Sequence, residues 1–369
     1  MSSEVNLDEI YNLISPEAKR YDPSLMLARA IRMPENLLES LENYQEVVSN
    51  LRLPDPENVN GIVISGMGGS FISGLFLQDL VIDRSQKAVI LNRDVRLPKF
   101  VNEKHLLIAV SYSGNTEETL RVYLEGVRRN LPMVAITSGG ELADASKKMG
   151  IPLISLPPGI PPRAAFPFIT AAIVALTSIY LGVNLVSEVR EACQELSRDY
   201  TSRIGEGVSL SRLLSGDIKG GLTPVIYGYS PYLSAAYRFK TQINENAKLH
   251  AFFGELPEAN HNEIMGWGSL LNKFTVVFVR GREEPDYMKA RLEFLEGVLE
   301  KYGVPFYNMK GESGSRACEL LSLILKGDVA SISLALRFGR DPAPVETISQ
   351  LKKFLESKIG FSLGKELKS

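Results

Sequence analysis

The sequence predicts an α/β protein built from two similar halves, each a mainly parallel sheet flanked by helices. Three observations predict it. Short apolar runs alternate with single helical patterns along most of the chain, which is how βαβ units read. The runs are continuous rather than alternating, as strands covered on both faces must be. A strand, a Gly-containing loop and a helix at 61–75 recur in the same order at 224–237, which suggests a duplicated plan.

The elements follow in order. Gly61–Ser65 is a strand, then comes Gly66-Met67-Gly68-Gly69-Ser70 and a helix from about Phe71. Strands at 88–91 and 106–110 come next, the latter followed by a helix from about Thr116 to Arg129. A fourth strand at 133–137 leads through Ser138-Gly139-Gly140 into a helix ending near Met149, and 152–156 is a fifth. After a charged helical stretch at 187–216, the plan repeats. Pro224–Gly228 is a strand with a helix from about Tyr232, and 274–279 and 305–307 are further strands. Helices are expected near 284–302, 313–326 and 344–358. The implied division is a helical extension over 1–55, a first domain at 56–190 and a second at 205–369.

Composition narrows the function. Lys+Arg is 41 against Asp+Glu 43, so the basic excess of a general nucleic-acid binder is missing. Cys193 and Cys318 are the two cysteines, too few for a disulfide framework or a cysteine zinc site, and this suits a reducing cytoplasm. His105, His250 and His261 show no HExxH spacing, so no metal is expected. The acidic opening, MSSEVNLDEIYNL, lacks the apolar core of a signal peptide. Residues 164–187 carry no charge and approach the length of a membrane span. Pro167 and many Ala, Thr and Ser residues argue instead for one long buried helix, in a domain centre or a dimer interface.

The chemistry concentrates after two strands. In LIAVSYSGNTEETL, at 107–120, an apolar strand runs into hydroxyls at a helix start. A helix N-terminus offers unpaired N–H groups and partial positive charge. With Ser111, Ser113 and Thr116 added, it makes a cradle for a phosphate. Gly69 and Ser70, in the loop after the first strand, have the same character. A single hydroxyl would suffice for capping. Neither loop is GxxxxGK[ST] or GxGxxG, so one phosphate fits better than a nucleotide.

SYSGNTEET after a strand resembles the phosphate-binding signature of the sugar isomerase (SIS) domain. Together with GMGGS, PPRAAF, KTQINENAK and NHNE, it resembles the archaeal-type bifunctional phosphoglucose/phosphomannose isomerases, a branch of the phosphoglucose isomerase superfamily. The resemblance covers roughly 60–355. It implies two SIS-type domains of flavodoxin-like αβα form and an aldose–ketose isomerase of cytoplasmic carbohydrate metabolism, in glycolysis or gluconeogenesis, needing no cofactor. By the same resemblance Glu245 is the base, His261 the ring-opening histidine and Arg163 the group that steadies the enediolate. Lys352, or its neighbour Lys353, assists ring opening. Within Asp341–Ile348, Thr347 is the only hydroxyl residue to match the family's small hydroxyl beside the mannose epimer, and mannose 6-phosphate is expected as a second substrate. The superfamily's histidine reaches into the opposite subunit, so a homodimer with shared sites is expected. The uncharged segment at 164–187 and the apolar surface around Phe252-Phe253 are its expected contacts. Two rivals are a non-catalytic sugar-phosphate sensor and the isomerase half of an amidotransferase. The first 55 residues do not read as a helix-turn-helix, and no glutaminase domain with an N-terminal cysteine is present.

Overall fold

The computed structural model describes residues 6–198, 200–268, 273–312 and 314–367. Residues 1–5 of the acidic opening and residue 313, the expected start of a helix, lie outside the described residues. The chain opens with helices α1 (Leu7–Ile14), α2 (Met26–Ile31) and α3 (Met33–Ser49). Next come β1 (Gly61–Ser65), α4 (Gly69–Val81), β2 (Ala88–Asn92), β3 (His105–Val110), α5 (Glu117–Arg128), β4 (Met133–Thr137), α6 (Gly140–Met149), β5 (Leu153–Ser155) and α7 (Phe166–Thr177). The second half runs α8 (Leu185–Leu196), α9 (Tyr200–Lys219), β6 (Thr223–Tyr229), α10 (Leu233–Gln242), β7 (Phe252–Leu256), β8 (Phe274–Arg280), α11 (Asp286–Lys301), β9 (Phe306–Lys310), α12 (Arg316–Arg337), α13 (Glu346–Ile359) and α14 (Leu363–Glu366).

Two compact units result. One comprises residues 35–190 and 345–369, the other 1–34 and 191–344. These bounds differ from the division drawn on sequence, because terminal segments pack on units remote in sequence. In the first-sheet unit, Leu363 is fully buried against Leu120, Tyr123 and Leu142, with Phe361 and Leu367 packed beside it. Arg121 lies over the Phe361 ring at 4.3 Å. In the second-sheet unit, Leu27 of α2 is fully buried, so the N-terminal helices contribute to the core.

Both sheets are wholly parallel. The first has the order β2-β1-β3-β4-β5 and the second β7-β6-β8-β9. Burial explains the continuous apolar runs: β1 and β4 are buried at every position. Each order reverses at one point, between β1 and β3 in the first sheet and between β6 and β8 in the second. That is where a doubly wound sheet opens a crevice at its strand C-termini.

The apolar segment at 164–187 departs from expectation. It is not one helix but a 3₁₀ turn at Pro162–Ala165, the 12-residue α7 and a turn with Gly182 at φ +65°. α7 is buried within its own chain along nearly its whole length, with Phe166 edge-on to Phe76 at 5.9 Å. It therefore presents no surface for a subunit contact. No described helix is long and apolar enough to cross a membrane.

Candidate active site

The crevice of the first sheet is flanked by residues 66–70, which follow β1, and 111–116, which follow β3. Ser111 is buried; its hydroxyl donates to Thr116 Oγ1 (2.9 Å) and accepts from the Gly114 N–H (3.1 Å). Ser113 Oγ accepts from the Asn115 N–H at 3.3 Å. Thr116 holds the N-cap position of α5 yet makes no side-chain cap to it. Its hydroxyl faces Ser111 instead, so α5 starts uncapped by its own residue, as an anion site requires. Glu117 in the first turn would oppose an anion, but its carboxylate is drawn to Arg121 at 2.7 Å.

Gly114 (φ +68°) has no alternative: a Cβ there would come within 1.7 Å of Gly139 O. That close approach lets Gly114 O accept from the Leu142 N–H (3.0 Å) and Asn115 Oδ1 from the Glu141 N–H (2.9 Å), tying the loop to α6. Gly69 serves the other loop. A Cβ there would lie 3.1 Å from Pro162 O and 3.6 Å from Arg163 Cα, so the first turn of α4 rests directly on the Arg163 backbone. Ser70 is buried in that turn, and the Arg163 side chain is 3% exposed. The structure thus brings Gly69, Ser70, Ser111, Ser113, Thr116 and Arg163 around one crevice. Sequence reasoning missed Tyr112. Its hydroxyl donates to Pro157 O (2.7 Å) and accepts from the Ile160 N–H (2.9 Å), fixing the segment that leads into Arg163. An aromatic between two serines was the available signal.

Glu245 belongs to the second-sheet unit. It lies within Ile243–Ala247, a π-helical turn continuing α10, a form that recurs at functional sites. A buried polar seam fixes this helix. Arg238, Gln242 and Asn246 are four residues apart and so share one face. Arg238 pairs with both oxygens of Asp328 (2.9 and 2.7 Å), Gln242 donates to Asp328 (3.1 Å), and Asn246 donates to Ser331 (2.9 Å). The 4-residue spacing of 238, 242 and 246 was legible, but its partners on α12 were not.

His261 ends a 3₁₀ turn after β7 and is exposed. Side chains alternate faces along a strand. Gly228 faces α10, since a Cβ there would meet Ala236 Cβ. Tyr227 therefore faces the other side, where its hydroxyl donates to Glu263 (2.7 Å) and its ring lies edge-on to Trp267 (6.3 Å). The segment after His261 thus covers the sheet face opposite α10. The five residues of β7 also run about 17 Å between the end of the Glu245 turn and the start of the His261 turn. Glu263 and Trp267, which follow His261, therefore lie across the sheet from α10. In this segment Trp267 is buried against the sheet and Met265 is 83% exposed.

Lys352, Lys353 and Thr347 lie on α13, which buries none of its residues. The segment after it is pinned to α6 by Glu141, whose carboxylate accepts from Ser362 Oγ (2.9 Å) and the Gly364 N–H (3.1 Å).

The reversal point of the second sheet is furnished differently. Tyr229 donates to Glu284 and accepts from the Gly281 N–H, while Tyr232 donates to Glu319, which also accepts from the Arg282 N–H. Burial, reinforced by these carboxylates, pushes both phenols well above their ordinary pKa. Two tyrosine rings and two carboxylates stand at this reversal point, where the first sheet has hydroxyls at a helix start. Among the described residues, no three His, Cys, Asp or Glu side chains cluster as a metal would need.

Residues 208–355 match the bacterial phospho-glucose isomerase C-terminal SIS domain. The chain is 36% identical over 299 residues to a bifunctional phosphoglucose/phosphomannose isomerase of Aquifex aeolicus, covering 80% of this chain and 90% of that one. It is 33% identical over 341 residues to a protein of the same name from Caldicellulosiruptor bescii, covering 89% and 98%. A crystal structure of a hypothetical protein from Thermus thermophilus shares the fold, with a TM-score of 0.72 and 17% identity over 96% of this chain and 95% of that one.

Proposed function

This chain belongs to the bifunctional phosphoglucose/phosphomannose isomerase family, and from that premise we propose that it interconverts glucose 6-phosphate and fructose 6-phosphate, with mannose 6-phosphate as a second aldose. The observation that carries the proposal is the hydroxyl-lined, uncapped helix start at the β1/β3 reversal point, which suits one phosphate group. The substrate phosphate lies against Ser111, Ser113, Thr116 and the Gly69-Ser70 turn. Aldose–ketose isomerisation then moves a proton between C1 and C2. Glu245 takes it from one carbon and returns it to the other. Negative charge develops on the enediolate oxygens, and the buried Arg163 guanidinium stabilises it. His261 moves the ring proton that opens the hemiacetal, with Lys352 on the ring oxygen. Thr347 is the hydroxyl beside C2 that leaves room for either epimer.

The chain works as a homodimer in the cytoplasm. Glu245 and the segment after His261 lie on opposite faces of the second sheet, which supports a site that joins Glu245 of one protomer to His261 of its partner. The exposed Phe252 on edge strand β7 belongs to the same contact. The test combines assay and subunit exchange. Wild type given fructose 6-phosphate should yield both glucose and mannose 6-phosphates. Glu245→Gln should lower both rates together, by about 10²–10⁴. Mixing Glu245→Gln with His261→Ala should regenerate activity, because each mixed dimer then has one intact site. Exchange verified by mass without recovered activity would place both residues in one protomer's site.

A further inference from the structure

Glu245 stands at the end of a helix, where the last carbonyls lack intrahelical partners. Two cations engage four of them in succession. Lys248 Nζ donates to the carbonyls of Glu245 (2.7 Å) and Asn246 (3.1 Å), and also to Pro342 O (2.8 Å). Arg340 Nη1 donates to the carbonyls of Ala247 (2.8 Å) and Lys248 (3.1 Å). Positive charge at a helix C-terminus also opposes the helix dipole favourably. Lys248 itself has left-handed backbone, φ +58° and ψ 36°. Glycine is the usual residue there, because a Cβ is disfavoured. A lysine in that place points to the ammonium group as the reason for it.

We infer that Lys248 and Arg340 are positioning residues for proton transfer. They clamp the Glu245 turn to the stretch at 340–342 that follows α12, while from α12 itself Asp328 holds the preceding turns and Ser331 holds Asn246 beside the base. The base is therefore fixed from both sides along one continuous stretch of chain. The inference rests on the reading of Glu245 as the base. A displacement of about 1 Å in a reacting group costs on the order of 10² in rate, so the clamp acts on kcat. The phosphate cradle is built from other residues, so KM should be spared.

Lys248→Gly suits the left-handed backbone and removes the ammonium. The expected result is a kcat for fructose 6-phosphate lowered at least about tenfold, KM within about twofold, and Tm unchanged or raised. Lys248→Arg should recover most of kcat, and Arg340→Met should repeat the loss. Added to Glu245→Gln, Lys248→Gly should cost nothing further, because it acts through a base already removed. If Lys248→Gly keeps kcat within about twofold while Glu245→Gln is inactive, the base reading stands and the clamp is refuted. If Glu245→Gln retains more than about a tenth of kcat, the base reading itself fails, and the clamp with it. A fall in Tm with kcat tracking only the folded fraction, in both Lys248→Gly and Arg340→Met, would reduce the clamp to a structural cap and overturn the inference.

Discussion

Asp328→Asn tests how the second-sheet unit holds the helix that carries Glu245. Asp328 is buried and accepts three hydrogen bonds, two from Arg238 and one from Gln242. The Arg238 and Asp328 side chains are 4% and 5% exposed and meet at 2.7 Å. Asn keeps the shape but removes the charge, and its amide would point a donor at guanidinium donors. Breaking one partner of a buried pair costs about 3–5 kcal/mol, because the other charge stays desolvated without compensation. For a unit of this size each kcal/mol moves Tm by about 2–4 °C, so Tm should fall by roughly 6–20 °C. The single amide oxygen can serve either the Oδ1 position, shared by Arg238 Nε and Gln242, or the Oδ2 position facing Arg238 Nη2. The seam is thereby disturbed three residues before Glu245, and kcat should fall in the protein that remains folded. Thermal unfolding followed by circular dichroism, with initial rates well below the transition, measures both. The double variant Arg238→Met/Asp328→Leu should recover much of the Tm, since an apolar pair can replace a buried ion pair. A Tm within about 2 °C of wild type in Asp328→Asn would refute the reasoning, because the pair would then carry no compensated charge.

Two further predictions concern the cradle and the thiols. Ser113→Ala with Thr116→Val removes two hydroxyls from the proposed phosphate site. At about 1.5–3 kcal/mol per bond to a charged group, KM should rise at least about tenfold, and an unchanged KM in folded protein would dismiss the site. Burial, with the Glu195 carboxylate adding to it, pushes the Cys318 thiol from 9.0 to about 12, and burial also raises Cys193. Both should resist a disulfide reagent at pH 8 until guanidinium exposes them. Because the folded-state value is raised, this contribution to stability is full below pH 9 and is lost as pH climbs toward 12. Rapid labelling of native protein at pH 8 would contradict the burial.

Sequence alone determined the parallel α/β class and the strands β1, β3 and β4, because strands covered on both faces must be apolar throughout. It also marked the hydroxyl-rich loop between β3 and α5, since closely spaced hydroxyls after a buried strand are a local signal. Three features were decided only by tertiary structure. β7 went unread because it is an edge strand whose FFGEL pattern mixes an exposed Phe252 with Gly254 and Glu255. α12 was expected to stop near residue 326, where Lys326, Gly327 and Asp328 interrupt the apolar run, yet it continues to Arg337. Those residues are buried, not solvated: Lys326 meets Glu206 and Glu312 at 2.8 Å, Asp328 pairs with Arg238, and Gly327 admits Phe239. The apolar segment at 164–187 broke into a shorter helix that its own chain covers. Polarity in sequence reports the need for a partner, and whether that partner is water or a residue 90 positions away is settled only when the chain is packed.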